Sequence, residues 1–203
     1  MKAEIIAVGS EMLTPWRQDS NSLYLTEKLN EIGVTVNFKT IVGDRRKDLV
    51  NVIRTALGRA DIVALMGGLG PTEDDLTREA VGDALHIKLR RDAAQVANLH
   101  ARAATWRMPM PENNLKQADV LDGATVLANP NGSAPGQWLD TAFNGYRKLV
   151  FLLPGPPHEC CSLFDNECLP RLREAVPQRH IAKRTLTAAM IGESAADKIA
   201  API

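Results

Sequence analysis

The sequence predicts a three-layer α/β/α fold with a mostly parallel central sheet. Short apolar segments rich in β-branched residues alternate along the chain with longer segments whose apolar residues recur at helical spacing. This βαβαβα order is typical of a parallel sheet with helices on both faces. Three of the predicted strands run directly into glycine, at Gly9, Gly43 and Gly67. Ligands of such sheets bind where the strand ends meet.

Three strand–helix pairs are predicted in the N-terminal half. Their strands are apolar or β-branched runs at 4–8, 34–42 and 62–66. Their helices have apolar residues at helical spacing and lie at 21–32, 48–57 and about 75–85. Gly33 is a typical stop for the first helix, and acidic residues at the start of the third suit the positive end of a helix dipole.

A hairpin and two more helices are predicted in the C-terminal half. An alanine-rich helix at 92–107 and a short strand at 124–128 come first. Asn144-Gly145 favours a two-residue hairpin turn, so the runs flanking it are expected to pair as antiparallel strands, 137–140 with 148–153. A final helix is predicted from the prolines at 156 and 157 to about residue 175.

Val176-Pro177 is the predicted boundary between a domain of residues 1–176 and a short C-terminal α+β extension of residues 177–203. The extension has one predicted strand, 183–190, and a helix start with capping-box spacing at Ser194 and Asp197. One strand and one short helix cannot bury a core of their own. We therefore expect the extension to be the start of a second, truncated domain or an appendage on the first.

The composition excludes several classes of protein. The 203 residues include 24 Lys plus Arg and 24 Asp plus Glu, so no net field attracts nucleic acid or an anionic membrane. No apolar stretch reaches the length of a membrane span, and the N-terminus is too charged for a signal peptide. Three cysteines argue against a disulfide framework. We expect a cytoplasmic protein with no nucleic-acid or membrane partner.

The stretch 61–77 is the most informative in the chain. A buried strand runs into Gly67-Gly68-Leu69-Gly70, where the backbone can approach a ligand closely, and Pro71-Thr72 leads into the next helix. A strand, a glycine turn and a helix N-terminus together favour an anion site. Asp74 and Asp75 add hard oxygen ligands for a metal, or a base for water. The alternative is a tight turn followed by solvated acidic residues.

Three familiar site patterns do not fit the sequence. No Gly-Lys-Ser/Thr follows the glycines, which excludes a P-loop. Glu73 stands where the third glycine of the dinucleotide fingerprint belongs. The candidate ligands for a zinc site are His158, Cys161, Asp165 and Cys168. A zinc site is disfavoured because these four would share one helix face, and four tetrahedral ligands rarely do so.

Acidic and polar residues also follow two other predicted strands. Ser10 and Glu11 come directly after the first strand, Asn21 opens the next helix, and Asp44 follows the second strand. Because the carboxyl ends of parallel strands meet at one edge, these side chains are expected near Asp75. Converging carboxylates suggest Mg²⁺ or Mn²⁺ bridging protein and phosphate oxygens. The alternatives are turn residues at Ser10 and Glu11 and a helix N-cap at Asp44.

Two loops rich in proline and glycine, and one lysine, are further candidates. The loop 129–136 offers backbone N–H groups, an amide and the Ser133 hydroxyl, and the loop 153–157 follows a strand. Such loops usually only connect elements, but a long loop in a compact domain favours function. Lys116 is a candidate partner for a phosphate, and a solvated helix lysine is the alternative.

Several of these motifs together resemble one family. The N-terminal motifs look like the molybdopterin-binding fold of the MogA/MoaB type: Gly9-Ser10-Glu11-Met12-Leu13, Asp19-x-Asn21, Gly43-Asp44 and the stretch from Gly67 to Glu79-Ala80. The later motifs resemble the N-terminal domain of competence/damage-inducible protein A (CinA): Asn114-x-Lys116-Gln117-Ala118, the loop 129–136 and Leu153-Pro154-Gly155-Pro156-Pro157-x-Glu159. Ile191-Gly192-Glu193-Ser194 resembles the start of that family's KH-like middle domain.

This resemblance implies a metal-dependent pyrophosphatase that hydrolyses ADP-ribose to AMP and ribose 5-phosphate. It also implies a catalytic pair of aspartates at Asp44 and Asp75. Ser10 departs from the pattern of the wider family, which usually has aspartate there, so metal or ligand contacts at that edge are expected to be weaker. The family's C-terminal nicotinamide mononucleotide deamidase domain is not among these 203 residues, and deamidation is not assigned to them.

The leading hypothesis is a phosphoanhydride hydrolase of the ADP-ribose pyrophosphatase type, working on a small-molecule nucleotide as a homo-oligomer. The predicted catalytic residues are Asp44, Asp74 and Asp75, of which Asp44 and Asp75 hold a divalent metal (Mg, Mn or Co). The predicted substrate contacts are Ser10, Glu11, Asn21, Gly67, Gly68, Gly70, Thr72, Lys116, Ser133, Pro135, Pro154 and Gly155. The alternatives are a pterin-binding or nucleotidyltransferase step of molybdenum-cofactor assembly, and a non-catalytic nucleotide-binding module.

Overall fold

The computed structural model describes residues 1–106, 110–177, 187 and 189–200. Eight strands lie in this part of the chain: β1 (Lys2–Val8), β2 (Thr35–Val42), β3 (Ile62–Met66), β4 (Leu89–Arg91), β5 (Asp119–Leu121), β6 (Thr125–Leu127), β7 (Gly136–Phe143) and β8 (Tyr146–Leu153). Six of them form one sheet in the order β2-β1-β3-β8-β7-β6, and β4 pairs with β5 separately. The contacts among β2, β1, β3 and β8 are parallel, and β8-β7-β6 is antiparallel.

Seven α-helices accompany these strands in the described residues. They are α1 (Ser20–Glu31), α2 (Arg46–Arg59), α3 (Thr77–Leu85), α4 (Ala93–Trp106), α5 (Pro157–Leu163), α6 (Leu169–Ala175) and α7 (Glu193–Ala200). A π-helical turn, Phe164–Cys168, joins α5 to α6. Two 3₁₀ turns lie at Ser10–Leu13 and Glu112–Ala118. None of the helices in the described ranges has both the length and the apolar composition that crossing a membrane requires.

Alternate residues of the central strands bury opposite faces of the sheet. On β1, Ile5 packs in the apolar cluster with Leu25 of α1 and Phe164 of the π turn, whereas Ile6 packs with Ile53 of α2 and Val81 of α3. The period of two along a strand is what sends neighbours to opposite faces. The three-layer α/β/α fold with a mostly parallel sheet is therefore confirmed.

The hairpin was also predicted correctly. Asn144 and Gly145 have φ angles of 51° and 81°, as a type I′ turn requires, and β7 pairs antiparallel with β8 on either side of them. The predicted helix start near residue 75 was two residues early, because the Asp75 carboxylate accepts hydrogen bonds from Thr72 and closes a separate turn before α3 begins at Thr77.

The C-terminal extension is described only in part. Its predicted strand, 183–190, lies largely outside the described residues. A helix is present here as α7 (Glu193–Ala200), but Ser194 lies inside it and not at the N-cap position that the capping-box spacing predicted. The boundary at residues 176–177 stays a prediction.

Candidate functional site

A cleft of about 720 Å³ lies at the carboxyl ends of the parallel strands. The ends of β1 and β3, the start of α1 and the loops 129–136 and 153–157 all contribute to its lining. The strand ends are joined by backbone hydrogen bonds, from Gly9 N to Val42 O at 3.0 Å and from Gly67 N to Leu153 O at 2.9 Å. The cleft is therefore at the edge where ligands of open α/β sheets bind.

The glycine loop, residues 67–70, lines the cleft after β3. Gly67 has a φ angle of +97°, and a Cβ at this position would collide with the Val8 carbonyl oxygen of the neighbouring strand. A residue with a side chain would thus be strained and would push β1 and β3 apart. Glycine is required here because the loop turns sharply while touching the next strand.

The carbonyl groups of the glycine loop are all hydrogen-bonded to the start of α3. The buried Thr77 donates its hydroxyl to Gly67 O at 2.7 Å and its amide to Gly68 O at 3.2 Å. The buried Arg78 donates to Leu69 O and Gly70 O, both at 3.0 Å. The amide groups of residues 68, 69 and 70 have no acceptor among the described residues. They are three backbone donors that remain for a ligand.

Two aspartates, Asp44 and Asp75, line the cleft, and in each of them one carboxylate oxygen accepts hydrogen bonds from the protein. Asp75 Oδ2 accepts from Thr72 N at 2.9 Å and from Thr72 Oγ1 at 2.6 Å. Asp44 Oδ2 accepts from Ser10 N at 2.8 Å, and Asp44 N donates to Ser10 Oγ at 3.3 Å. Asp44 is not a helix N-cap, since Arg45 holds that position of α2. In each carboxylate the Oδ1 atom has no hydrogen-bond partner within the described ranges.

These two carboxylates fit a hard divalent cation but do not form a complete cage. Within the described residues, no group of three or more His, Cys, Asp or Glu side chains could hold a metal ion. Mg²⁺ is commonly held by one or two carboxylates, with water and substrate phosphates supplying the other ligands. The Oδ1 atoms of Asp44 and Asp75 are oxygen donors of the kind that Mg²⁺ prefers. The disfavoured zinc candidates His158, Cys161, Asp165 and Cys168 are not a group that could hold a metal ion among the described residues.

The lining of the cleft is strongly acidic. Six carboxylates contribute to it: Glu11, Asp19, Asp44, Asp74, Asp75 and Glu159. Arg17 is the one Lys or Arg among the described lining residues, and it is exposed with no ion pair in this part of the chain. An anionic ligand would be repelled by this charge unless cations accompanied it. The charge of the lining therefore disfavours a free anion in this cleft.

The opposite wall of the cleft is held by polar side chains. Asn129 Nδ2 donates to Ala134 O at 2.9 Å and to Glu159 Oε2 at 2.6 Å, which closes the loop 129–136. Asn21 Nδ2 donates to Gly155 O at 2.9 Å and fixes the loop 153–157 to α1. The buried Asn21 Oδ1 has no partner among the described residues. It is an acceptor that a ligand donor could satisfy.

The structure brings most of the predicted site residues together. Twelve line the cleft: Glu11, Asn21, Asp44, Gly67, Gly68, Gly70, Thr72, Asp74, Asp75, Ser133, Pro154 and Gly155. Three of the predicted substrate contacts, Ser10, Lys116 and Pro135, do not line the cleft. Ser10 is turned to Asp44, and Lys116 is held by Thr72 O at 2.9 Å and Glu79 at 3.3 Å. Pro135 lies on a neighbouring cleft between α4 and the loop 129–136.

Several residues of this site are absent from the predicted set. Arg17, Gln117 and Glu159 line the cleft, and Thr77 and Arg78 hold the glycine loop from behind. The signal for Arg78 was its helical spacing, three residues before the buried Val81, which places a charged residue on the core face. No local pattern marks Arg17, because an exposed arginine in a loop is usually only solvated.

Comparison with known proteins assigns the family. Residues 4–174 match the family described as a probable molybdopterin binding domain. The chain belongs to this family. A CinA-like protein from Acidobacterium capsulatum is 63% identical over 203 residues, and one from Solibacter usitatus is 48% identical over 203 residues. Both alignments cover 100% of this chain. The chain spans about half the length of these relatives, 49% of the first and 48% of the second.

Solved structures agree with this assignment. A crystal structure of a CinA protein of unknown function from Thermoplasma acidophilum superposes with a TM-score of 0.74 at 29% identity, over 86% of this chain and 98% of that one. The tungsten-cofactor-synthesizing protein MoaB from Pyrococcus furiosus has a TM-score of 0.53 at 17% identity, over 86% and 96%, and shows the fold alone. The resemblance to CinA and to the MogA/MoaB-type fold is confirmed.

Proposed function

We propose that this chain is a metal-dependent pyrophosphatase that hydrolyses ADP-ribose to AMP and ribose 5-phosphate. One observation carries the proposal. Three unpaired backbone N–H groups and two half-free aspartates, Asp44 and Asp75, line the same cleft. N–H donors suit phosphate oxygens, and paired carboxylates suit the cation that a diphosphate carries. ADP-ribose is the diphosphate that the resemblance to CinA implies.

The residues of the cleft divide the work of hydrolysis. The amides of the glycine loop bind and orient the diphosphate, and Asp44 and Asp75 hold the cation. When bound, the cation neutralises charge that develops on the phosphoryl oxygens. The oxygen of a water molecule bonds to one phosphorus atom while the bond from that phosphorus to the bridging oxygen breaks. Asp74 or Glu11 takes the proton of the water, and the bridging oxygen leaves with the other phosphate.

Hydrolysis of ADP-ribose with Mg²⁺, Mn²⁺ or Co²⁺ tests this proposal directly. We expect turnover that requires the metal and falls by about a hundredfold or more in Asp44→Asn and Asp75→Asn, since each removes a charge from the reacting centre. Asp140→Asn is the matched control, because Asp140 pairs with Arg147 on the β7–β8 hairpin and does not line the cleft. It is expected to leave turnover unchanged.

Two results would contradict the proposal. Absence of turnover by the parent chain with any of the three metals would exclude ADP-ribose hydrolysis. Unchanged turnover in both cleft variants would exclude Asp44 and Asp75 as the metal-binding pair. The homo-oligomer and the cytoplasmic location stay predictions, and light scattering of the purified chain tests the first.

Binding of molybdopterin is the second candidate function, with or without a nucleotidyl transfer. The match of residues 4–174 to a probable molybdopterin binding domain favours it. A molybdopterin phosphate would use the same backbone donors as a diphosphate. Thermal denaturation with molybdopterin, AMP or ADP-ribose distinguishes the candidates, because a ligand that binds only the folded state raises the melting temperature. A shift with AMP or ADP-ribose and no hydrolysis would favour a non-catalytic nucleotide-binding module.

A further inference from the structure

Arg78 is a fully buried cation behind the glycine loop. Its side chain is 0% exposed, and its guanidinium donates to two carbonyl groups, Leu69 O and Gly70 O. It forms no ion pair within the described residues, and its Nε atom has no acceptor there. Burial lowers the pKa of Arg78 from its usual range, but a guanidinium stays charged in proteins. A buried charge without a counter-ion is costly, so this one calls for an explanation.

The carboxylate with the largest effect on the pKa of Arg78 is paired with another cation. Glu79 pairs with Lys116 at 3.3 Å through one oxygen, and its other oxygen is buried without a hydrogen bond among the described residues. Glu79, Asp75 and Asp119 act on Arg78 through space only, where they raise its pKa. The positive charge of Arg78 is therefore only partly balanced by the carboxylates around it.

Peptide geometry determines which side of the loop faces the ligand. In a planar trans peptide, the C=O of one residue and the N–H of the next point in opposite directions. Because Arg78 holds Leu69 O on the side of α3, the Gly70 N–H points away from α3. Thr77 holds Gly67 O and Gly68 O in the same way, which turns the amides of residues 68 and 69 to that side. Three successive donors face the cleft.

We infer that Arg78 is a positioning residue for an oxyanion bound by the glycine loop. It touches no ligand. It fixes the Gly70 amide toward the cleft, strengthens that donor by polarising the peptide group, and places a positive charge behind the bound anion. The anion is a phosphate group of the substrate, so the inference rests on the proposed function for the identity of the substrate only. Arg78 acts in the same way on any phosphate that this loop binds.

Titration with Mg²⁺-pyrophosphate, followed by calorimetry and by amide NMR of the 203-residue chain, tests the inference. Arg78→Met removes both the charge and the donors and is expected to weaken binding about tenfold or more. Arg78→Lys keeps the charge but lacks the rigid planar fork that holds both carbonyls in a fixed geometry, so its affinity is expected to lie in between. The Gly70 amide resonance is expected to shift on binding in the parent chain and much less in Arg78→Met.

Arg59→Met is the matched control for loss of stability. Arg59 pairs with the fully buried Glu4 at 2.8 Å, far from the cleft lining, so its removal destabilises the fold while leaving the loop intact. We expect lower thermal stability with unchanged pyrophosphate affinity. If Arg78→Met does not fold, Arg78→Lys decides the question, because it retains the cation in the core.

The outcomes separate this inference from the proposed function. A parent chain that does not bind pyrophosphate, or a folded Arg78→Lys that binds it as tightly as the parent, would overturn the inference. An equal loss of affinity in Arg59→Met would do the same, since the effect would then follow stability. Binding that depends on Arg78, in a protein that does not hydrolyse ADP-ribose, would refute the proposed activity and support the role of Arg78.

Discussion

The glycine loop, 67–70, and the loop 129–136 line the same cleft but are held in different ways. The carbonyls of the first are held by buried groups, Thr77 and Arg78, from the helix that directly follows it in the chain. Carbonyls of the second are held by Arg102, a partly exposed residue of α4, which donates to Asn129 O at 3.3 Å and Pro130 O at 2.8 Å. The donor Arg102 is partly exposed to water, whereas the donors Thr77 and Arg78 are fully buried.

This difference indicates how the cleft divides its tasks. Local opening of a structure requires less free energy where hydrogen bonds are exposed and apolar contacts are few. The glycine loop is therefore expected to be preorganised, with its amides fixed before the ligand arrives. The loop 129–136 is expected to adjust to the rest of the ligand. A fixed anion site beside an adaptable wall suits a substrate recognised chiefly through its phosphates.

Among the substitutions that test this comparison, Gly67→Ala is expected to lower the free energy of unfolding most. The new Cβ would meet the Val8 carbonyl and would also occupy a backbone conformation at φ +97° that alanine disfavours. We expect a loss of about 3 kcal/mol or more in the free energy of unfolding, measured by urea denaturation. This loss of stability is expected because Gly67, at the end of β3, lies against the Val8 carbonyl at the end of β1.

Gly123→Ala is the matched control, because Gly123 has φ +80° but no heavy atom within 4 Å of an added Cβ. It incurs the backbone strain without the collision, so a cost of about 1 kcal/mol is expected. Equal costs at the two positions would mean that the close contact with Val8 is unimportant. The preorganisation of the glycine loop would then need another explanation.

A pair of smaller changes compares the two loops directly. Thr77→Val removes the hydroxyl that donates to the buried Gly67 O at 2.7 Å, and it is expected to cost about 1–3 kcal/mol of stability. Arg102→Met leaves carbonyls that water can reach, so it is expected to cost less than about 1 kcal/mol. Hydrogen exchange of both variants checks the comparison. Equal costs, or faster exchange of the glycine-loop amides in Arg102→Met, would contradict it.

The fold was predictable because its signals are local and repeated. The alternation of strands and helices, and the turn at Asn144-Gly145, were each visible within a few residues. Carboxyl ends of parallel strands meet at one edge, and this rule alone brought Asp44 and Asp75 to the same cleft. The site was predictable to the extent that it follows from topology.

The rest of the site depends on tertiary contacts that carry no local pattern. Ser10 and Lys116 each have a protein partner, Asp44 and Thr72, that lies more than thirty residues away in sequence, and no local pattern predicts these contacts. The spacing of Arg78 from Val81 indicates only that it faces the core, and its hydrogen bonds to the glycine loop follow from how the helix packs. Which polar group faces the ligand and which faces the protein is decided by packing.

Removing the ion pair that joins α3 to α2 is expected to have the smallest effect on the free energy of unfolding. Asp83 of α3 pairs with Arg46 of α2 at 2.7 Å, on the exposed side of the helix that holds the glycine loop. The hydrogen bond from Arg46 lowers the pKa of Asp83, so this stabilisation is present above the unfolded-state pKa of about 4 and is lost as pH falls through the lower folded-state pKa. Asp83→Asn is expected to cost less than about 1 kcal/mol at pH 7, because both side chains are exposed.

Urea denaturation of the parent chain and Asp83→Asn, at pH 7 and again near pH 2, checks this sign. The difference between them should shrink in acid, where Asp83 of the parent becomes protonated and loses its charge. A difference of the same size at both pH values would mean that the aspartate acts through packing or neutral hydrogen bonds. Hydrolysis at pH 7 should be unaffected, because the carbonyl groups of the glycine loop are held by buried residues at the other end of α3. A parallel loss of turnover would show that the exposed ion pair helps to position the loop, and that its buried donors do not fix it alone.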